Sequence, residues 1–438
     1  MSEIKVNKIS PRTNCGTVQL GDSGDTITIP AGATLSGVGT VSWDTTAKTA
    51  SFTAVSGNGY FVNTTSGAIT VTLPASPSAG DIVAVADYAG TSATNAITIA
   101  RNGSNFEGGT ENGGIATNRQ TATFIYVDGT QGWVVVNSND ASFILPTFVT
   151  ATGGTVTTCG DFKIHTFTGP GTFCVSCAGN SAGSNTVSYV VVAGGGSGAN
   201  NRGGGGGAGG YRESKAANDT YTASPLNATS GPTYNLPVTA QGYPITVGGG
   251  GNPAPYPPSN SPGDDGSNSV FSTITSAGGG GAGYENNPTP GVGNSGGSGG
   301  GSGYPGKAGG SGNTPPVSPP QGNDGGNTCG SNNSGSGGGG AGGTGGNSGD
   351  ATGGNGGNGV ASSITGSPVT RAGGGGGSSC TTGGSAGPGG GGAGYGGPNG
   401  ANPNDDGTAN TGGGGGASRN QPSGAGGSGV VIIRYKFQ

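Results

Sequence analysis

Residues 203–210 read GGGGGAGG, and the fold of this chain depends on what such glycine runs do. Similar runs recur at 373–377 and 412–416, and 107 of the 438 residues are glycine. About a third of the chain after residue 193 is glycine, which is a collagen-like level, but collagen needs glycine strictly at every third position. These runs keep no such period. Two interpretations remain: a disordered tail, or glycine helices packed on one another.

The choice between them depends on the backbone. Glycine loses the most conformational freedom on ordering and has no side chain to bury in return. A glycine run is therefore ordered only if its N–H and C=O groups find partners. Polyproline II geometry has about three residues per turn and no internal hydrogen bonds. Without Cβ atoms, such helices can approach closely and bond sideways. The runs predict a bundle of these polyglycine II helices.

Strand-like segments between the glycine runs favour order over a disordered tail. The clearest are 187–192 (VSYVVV), 243–247 (YPITV) and 430–437 (VVIIRYKF), with further candidates at 269–275 and 361–371. Apolar, β-branched runs of this kind need a covered sheet. No 3.6-residue periodicity persists in the chain. We therefore predict an all-β fold with almost no α-helix, in which packed polyglycine II helices stand on a small β-sheet base.

Composition narrows the class of protein. Charged residues make up 8% of the chain and the net charge is −5, which argues against nucleic acid as a partner. No apolar stretch reaches the ~18 residues of a membrane span, and the start lacks the apolar core of a signal peptide. The chain is nevertheless rich in Ser, Thr, Asn and Gly, as extracellular proteins are. These features predict assembly in a host cytoplasm and release by lysis, as with a virus.

Four segments are expected along the chain. Residues 1–45 hold strands too short to bury a core, which predicts an attachment or oligomerisation segment. Residues 46–140 alternate between apolar and polar positions with regular turns, which predicts a β-sandwich or jelly-roll shaft module. Within it, Phe124 and Trp133 are core candidates and Trp43 a cap. Residues 141–193 form a connector and the first strands of the head, with a hairpin from 162–168 to 172–175. Residues 194–438 form the glycine-rich head.

Two groups of segments resemble known families. Residues 59–74 (GYFVNTTSGAITVTLP), with 79–83 (AGDIV) and Trp133, look like a β module of tail-fibre proteins from marine phages of the cyanophage and pelagiphage kind, and 5–30 resembles their N-terminal segment. Residues 190–212 and 426–435 (GGSGVVIIRY) resemble a glycine-rich domain of phage and bacterial surface proteins. The glycine runs are similar to the polyglycine II sandwich of T-even-like phage adhesins.

These resemblances imply a virion tail fibre that is commonly trimeric. Its N-terminus would bind other tail proteins, and loops at the helix tips would bind the host receptor. A structural glycine-rich fibre without a specific receptor remains an alternative, since composition does not exclude it.

The positions of the strands in the sequence also predict at which end of the bundle each loop lies. This prediction assumes that the strands lie at one end and that every glycine run crosses the bundle once. Residues 194–198 then lead away from the strands and 203–210 return. Continuing this alternation, 296–303 returns, 309–312 leads away, and 335–346 and 383–394 each return in a single crossing. The segments 252–266 and 284–294 are then expected to be far-end loops. Flat tyrosines and planar amides in far-end loops suit a surface glycan or an outer-membrane protein. The predicted receptor-binding residues are Asn200, Asn201, Arg202, Tyr256, Tyr284, Glu285, Asn286, Asn287, Gln321, Asp324, Arg419, Asn420 and Gln421.

The cysteines and the single histidine give no clear site. Cys329 and Cys380 both fall in far-end loops and could pair in a disulfide, although a reducing cytoplasm opposes its early formation. Cys174 and Cys177, near Cys159 and His165, suggest zinc, but residues i and i+3 of a strand point to opposite faces. His165 is expected to be a surface or cross-strand residue. We predict no metal and no cofactor.

A polysaccharide-degrading tail spike is a further alternative. Glycoside hydrolysis needs two carboxylates about 5–10 Å apart. The only acidic pairs are Asp264-Asp265 and Asp405-Asp406. Each is followed by glycine, as in a turn, and the alternation places them at opposite ends of the bundle. We therefore predict no catalytic residue and no enzymatic activity.

Overall fold

The computed structural model describes residues 41–138, 146–180, 182–257, 260–285, 291–305, 307–328, 333–400 and 405–438. These residues form strands, turns and extended segments with no α-helix, which confirms the predicted all-β class. No helix among them could cross a membrane. They form two compact units that divide before Pro146. The attachment segment predicted at 1–45 lies, apart from its last five residues, outside the described residues.

The first unit has two facing sheets. Its strands are β1 (Ser42–Lys48), β2 (Phe52–Thr53), β3 (Asn58–Val62), β4 (Ile69–Thr72), β5 (Ile82–Asp87), β6 (Ile97–Ala100), β7 (Gly113–Ile115), β8 (Thr121–Asp128) and β9 (Gly132–Ser138). One sheet has the order β1-β3-β5-β8-β9 and the other β2-β4-β6-β7. Strands β1, β3 and β5 pair in parallel, and so do β2, β4 and β6. The chain thus winds between two sandwiched sheets, whereas a jelly roll is antiparallel.

The core of this unit lies between its sheets. Phe124 and Trp133 are fully buried there, as predicted. Trp43 is 38% exposed and stacks on Phe61 with the ring centroids 4.9 Å apart. A Cβ on Gly59 would lie 2.7 Å from the Trp43 ring, so the indole needs glycine beneath it.

The second unit is built on two further sheets. Its strands are β10 (Val149–Thr152), β11 (Thr155–Cys159), β12 (Phe162–Phe167), β13 (Gly171–Ala178), β14 (Thr186–Val192), β15 (Tyr211–Ser214), β16 (Leu236–Pro237), β17 (Gly242–Thr246), β18 (Ser269–Phe271), β19 (Ile274–Ser276), β20 (Val360–Ser362), β21 (Val369–Arg371) and β22 (Val430–Lys436). The sheet orders are β10-β13-β17-β18-β19 and β11-β12-β22-β14-β15, while β16 pairs with β14 and β20 with β21.

The central strands β14 and β22 are buried on both faces. Val191 and Ile433 lie in the core between the two sheets, whereas Val190 and Ile432 pack on the opposite side with Ile364. Burial on both faces explains why these strands are mostly apolar and do not alternate between apolar and polar residues. The predicted hairpin from 162–168 to 172–175 is wrong. Strand β12 pairs with β11 and β22, and β13 pairs with β10 and β17, so the turn between β12 and β13 joins different sheets.

The glycine run 203–210 makes sideways hydrogen bonds with a three-residue repeat. N–H groups three residues apart donate to the same neighbouring run: Gly204 and Gly207 to 278–283, Gly205 and Ala208 to 335–340, and Gly206 and Gly209 to 412–416. Its carbonyl groups accept with the same repeat from 194–199, 296–303 and 373–378. Three residues per turn is polyproline II geometry. The run is therefore a polyglycine II helix bonded to neighbours on all sides, as predicted.

The pairing partners give each helix a direction. Because 203–210 leads into β15, runs antiparallel to it lead away from the sheets. The outward runs are 194–198, 248–251, 278–283, 296–303, 322–328, 344–348, 373–377, 391–394 and 412–416. The returning runs are 203–210, 263–267, 291–294, 309–312, 335–340, 353–359, 383–387, 405–408 and 424–429. We call the sheet end of this lattice the base and the opposite end the tip.

Several passes differ from the predicted alternation. Residues 291–294 form a returning helix, so 296–303 leads outward and 309–312 returns, the reverse of the prediction. Residues 335–346 turn back at 341–343, and 383–394 turn back at 388–390, where each was expected to cross once. Residues 263–267 form a helix, where the whole segment 252–266 was expected to be a tip loop.

Side chains of Asn and Asp complete the edges of the lattice. Their oxygens accept hydrogen bonds from backbone N–H groups, again with a spacing of three: Asp265 and Asn268 from Gly281 and Gly278, and Asp324 and Asn327 from Gly312 and Gly309, at 2.7–2.9 Å. An edge helix would otherwise leave these N–H groups to water. This explains the Asn and Asp residues that interrupt the edge runs.

His165 is fully buried in β12, so of the two expected positions the surface one is wrong and the cross-strand one, against β22, is confirmed. Its Nδ1 lies 2.7 Å from the Gly153 carbonyl oxygen. Its Nε2 lies 3.1 Å from the hydroxyl of Tyr435, which belongs to the paired strand β22. Burial is the main cause that lowers the pKa of the imidazole below its ordinary value. The folded protein therefore holds this ring neutral.

We predict that Gly206→Ala destabilises the second unit while Gly249→Ala does not. A Cβ on Gly206 would lie 2.0 Å from the Gly196 carbonyl oxygen, but a Cβ on Gly249 meets nothing within 4 Å. Overpacking of a rigid core costs about 1–3 kcal/mol. Chemical unfolding of the full chain should show this loss for Gly206→Ala and no loss for Gly249→Ala. Equal stability of the two variants would contradict the lattice.

We also predict a stability loss at acid pH that depends on His165. As the pH falls below about 6.5, the unfolded chain protonates this histidine more readily than the folded chain, whose imidazole pKa is lowered, so the free energy of unfolding falls. His165→Gln should be less stable at pH 8, because buried partners lose their bonds. It should also lose less stability than the wild type between pH 7 and pH 5. Urea titrations at both pH values test this, and identical pH dependence would refute it.

Candidate functional site

The tip is the part of the second unit where loops, rather than sheets, join the helices. The described residues of its loops are 199–202, 252–257, 260–262, 284–285, 304–305, 307, 333–334, 349–352, 378–382, 395–400 and 417–423. The helices beneath them are fixed by backbone hydrogen bonds on several sides. Side chains larger than those of Ser, Thr and Asn are therefore concentrated at the ends of the lattice, because the interior has no room for them.

Asn200 holds a proline-rich loop against the tip. Its side chain is fully buried. The Nδ2 group donates to the Pro255 carbonyl oxygen at 2.6 Å, and the Oδ1 atom accepts from the Ser261 amide at 2.8 Å. The neighbouring Asn201 is partly exposed and donates to the Asn260 side chain at 2.7 Å. Asn200 therefore positions the loop that carries Tyr256, which is 39% exposed.

A second tip cluster surrounds Arg202. Its Nη1 atom forms a salt bridge of 2.6 Å with Glu285, and both side chains are about a quarter exposed. The guanidinium also lies over the Tyr304 ring, 5.6 Å from the centroid. The Tyr304 amide donates to the Arg202 carbonyl oxygen at 3.2 Å. Three loops that are distant in sequence are joined through this arginine.

A third cluster joins 395–400 to 417–423. Gly400 and Arg419 exchange backbone hydrogen bonds of 2.7 and 2.9 Å. The Tyr395 hydroxyl donates to the Asn399 carbonyl oxygen at 2.8 Å, and the Asn420 amide donates to the Asn399 side chain. Arg419 is only 8% exposed. Its Nε and Nη1 atoms are buried and have no hydrogen-bond partner among the described residues.

The predicted tip residues fall into three groups. The tip contains Asn200, Asn201, Arg202, Tyr256, Tyr284, Glu285, Arg419, Asn420 and Gln421. Asn286 and Asn287 lie outside the described residues. The tip positions predicted for Gln321 and Asp324 are wrong. Gln321 is buried at the base, where its Oε1 atom accepts from the Ala277 amide at 2.9 Å, and Asp324 lies along an edge helix, where it accepts from Gly312.

Sequence reasoning missed Tyr304, Tyr395 and Asn399, which the structure places at the tip. It missed them because two reversals of direction were not recognised. The first is the short helix 291–294 (GVGN), which was included in a loop. The second is the turn at Pro388, whose Gly-Pro-Gly signal interrupts 383–394 and is typical of a chain reversal.

The cysteines differ from expectation at one point. Strand β13 has a bulge opposite Thr150 and Ala151, and both Cys174 and Cys177 are exposed free thiols. Their side chains were predicted to point to opposite faces, and this is wrong. The bulge adds one residue between them, so both point to the same face. Cys380 lies at the tip as a half-buried free thiol. Cys329 lies outside the described residues, so the disulfide between them stays a prediction.

The two acidic pairs were predicted to lie at opposite ends of the bundle, and this prediction is wrong. The Asp264 and Asp405 carbonyl oxygens accept from Ser197 and Gly416, which both lie near the tip end of their helices. Asp265 and Asp406 accept backbone N–H groups of adjacent helices, which is the edge-capping role described above. Desolvation, followed by the charge of Asp406, raises the pKa of Asp405 to about 6.

A separate cavity of about 400 Å³ lies at the base. It is lined by Cys159, Gly160, Asp161, Phe162, Asn218, Thr220, Arg434 and Lys436. Arg434 is already bound, since its Nε atom forms a buried salt bridge of 3.0 Å with Asp219. Asp219 in turn accepts from the Ser188 hydroxyl at 2.7 Å. The charges of Arg434 and Asp219 are therefore satisfied within the fold.

We predict that Asn200 and Asn201 differ in their effect on the proline-rich loop. Asn200→Ala removes both side-chain bonds that hold 255 and 261, so the Ser261 amide should exchange with solvent about tenfold faster or more. Asn201→Gly is the control, because φ at Asn201 is 48° and glycine keeps that backbone conformation. Amide exchange of the full chain tests this. Equal rates at Ser261 in the two variants would contradict a positioning role for Asn200.

Comparison with known proteins agrees with this architecture. No curated protein was found to match the sequence. The family described as Glycine-rich domain matches residues 168–436, which extend from the end of β12 through the helix lattice to the end of β22. That match covers more than half of the chain. The protein therefore belongs to the glycine-rich domain family.

Proposed function

We propose that this protein is a non-enzymatic phage tail fibre, or adhesin, that recognises the host cell surface through the tip of its glycine lattice. The observation that carries the proposal is the distribution of side chains in the lattice. Tyrosine, arginine and amide side chains from loops far apart in sequence meet at one end of a scaffold whose interior is almost free of large side chains. Rigid aromatic area with hydrogen-bonding groups at its edge is typical of recognition surfaces.

The scaffold favours this function because its stability does not depend on the tip. The lattice bonds are between backbone groups, so substitutions in tip loops leave them intact. Such a protein can change its specificity without unfolding. The buried strands β14 and β22 tie the lattice to the sheets at its base.

Other parts of the proposal rest on resemblance to tail fibres. We propose that residues 1–45 bind other virion tail proteins, that the first unit forms part of the shaft, and that the fibre is a homotrimer. The protein would assemble in the host cytoplasm and act outside the cell as part of the virion. Its receptor would be a surface glycan or an outer-membrane protein.

We predict that the tip, and not other exposed tyrosines, determines adsorption to cells. Tyr256→Ala should weaken binding of fluorescently labelled full-length protein to a susceptible strain, found by screening marine bacteria, by about tenfold or more. Tyr88→Ala is the matched control, since Tyr88 is 51% exposed but lies in the first unit. Equal loss for both variants would contradict recognition by the tip. Absence of binding to any strain would favour a structural fibre without a receptor.

A further inference from the structure

Arg419 is a charged side chain of the tip whose guanidinium lacks an acceptor. The residue is 8% exposed, and its buried Nε and Nη1 atoms have no hydrogen-bond partner in the part of the chain that the structure describes. Arginine carries five N–H donors and keeps its charge at any physiological pH. A buried charge without a partner is costly, and folded proteins normally pair it. An arginine in this condition indicates a missing anionic partner.

The contrast with Arg202 supports this interpretation. Both arginines lie at the tip, but Arg202 has a carboxylate, Glu285, at 2.6 Å. The segments that follow or precede the tip loops in the sequence and lie outside the described residues, 258–259, 286–290, 306, 329–332 and 401–404, contain no Asp or Glu. They therefore have no side-chain carboxylate to offer Arg419.

The nearest acidic pair in the sequence is also not the partner. Asp405 has a raised pKa whose causes are desolvation and the charge of Asp406. A guanidinium in contact with Asp405 would have lowered that pKa instead. Asp406 accepts from the Ala425 amide at 2.8 Å and serves the lattice edge.

Hydrogen bonds fix the backbone around Arg419. Its backbone is held by the paired hydrogen bonds to Gly400, and the adjacent Ser418 is fully buried with its hydroxyl donating to the Gln421 carbonyl oxygen. The amides of Asn399 and Asn420 and the ring of Tyr395 belong to the same cluster. Amides and an aromatic ring in the two loops that meet at the Arg419 backbone are suited to a sugar that carries an anionic group.

We propose that the tip binds a carboxylate or phosphate group of an acidic surface saccharide through Arg419. This inference rests on the proposed function and names the chemical class of the receptor. Carboxylate and phosphate oxygens both accept charge-assisted hydrogen bonds from a guanidinium. The saccharide is favoured over an acidic protein loop because amides and tyrosine accompany the arginine.

Ligand-observed saturation-transfer NMR with the full chain tests the inference. The probes are glucuronate, glucose 6-phosphate, neutral glucose and N-acetylglutamate amide. At least one anionic sugar should give transfer that disappears in Arg419→Gln, is partly retained in Arg419→Lys, and declines with added salt. Lys163→Gln removes one positive charge at the base and should bind as the wild type does. Which of the first two probes responds distinguishes carboxylate from phosphate.

Stability measurements separate a binding defect from a folding defect. Because the unpaired buried charge is unfavourable, Arg419→Gln should keep or raise the midpoint of thermal unfolding while it abolishes binding. Transfer that is equal for glucose and the anionic sugars, unchanged in Arg419→Gln, or absent for both anionic sugars would overturn the inference. A response to N-acetylglutamate amide with none to the sugars would overturn the saccharide and point to an acidic peptide.

Cell adsorption then distinguishes this inference from the proposed function. If wild-type protein adsorbs to cells and Arg419→Gln adsorbs equally, the tip function stands and the anion site fails. If the anionic sugars bind through Arg419 but the protein adsorbs to no cell, the anion site stands and the adhesin proposal fails.

Discussion

The sideways hydrogen bond between glycine backbones is the interaction on which this structure depends. In 203–210, each N–H or C=O group points about a third of a turn from the next, so one helix bonds to neighbours all around it. That contact is possible only without Cβ atoms, since a methyl group on Gly206 would lie 2.0 Å from a neighbouring carbonyl oxygen. The bonds offset the conformational entropy that glycine loses, which no side-chain burial could do here.

The same constraint separates stability from recognition. A lattice without room for side chains must place large residues at its base, where they form sheets, or at its tip, where they meet solvent. The base buries Val191 and Ile433 between its sheets. The tip contains Tyr256, Arg202 and Arg419, and the edges are completed by Asn and Asp. Each residue type thus lies where the lattice geometry admits it.

The sequence was sufficient to predict the lattice, the strands and most tip residues, because these follow from local composition. Strands such as 187–192 and 430–437 were recognisable from their mostly apolar runs. The partners of each strand could not be recognised in this way, because β12 and β13 are adjacent in sequence yet lie in different sheets. The parallel pairing of strands in the first unit was not predicted for the same reason, since it joins segments that are distant in the sequence.

The predicted direction of a helix was wrong where a crossing of the lattice was short. A helix as brief as 291–294 has the composition of a loop, and it is recognisable only from the neighbours that bind it. That single omission placed Gln321 at the tip when it is buried at the base. The Cys174 and Cys177 error is similar, because a β-bulge changes which face a side chain occupies without leaving a clear mark in the sequence.

Hydrogen–deuterium exchange of the full chain tests the central claim most directly. If the glycine runs are bonded in a lattice, amides of the central helix 203–210 should be protected to the same degree as those of β14 and β22, and edge helices such as 248–251 less. Immediate exchange throughout the glycine runs, with protection confined to the strands, would mean a disordered tail and would contradict the lattice and the tip together.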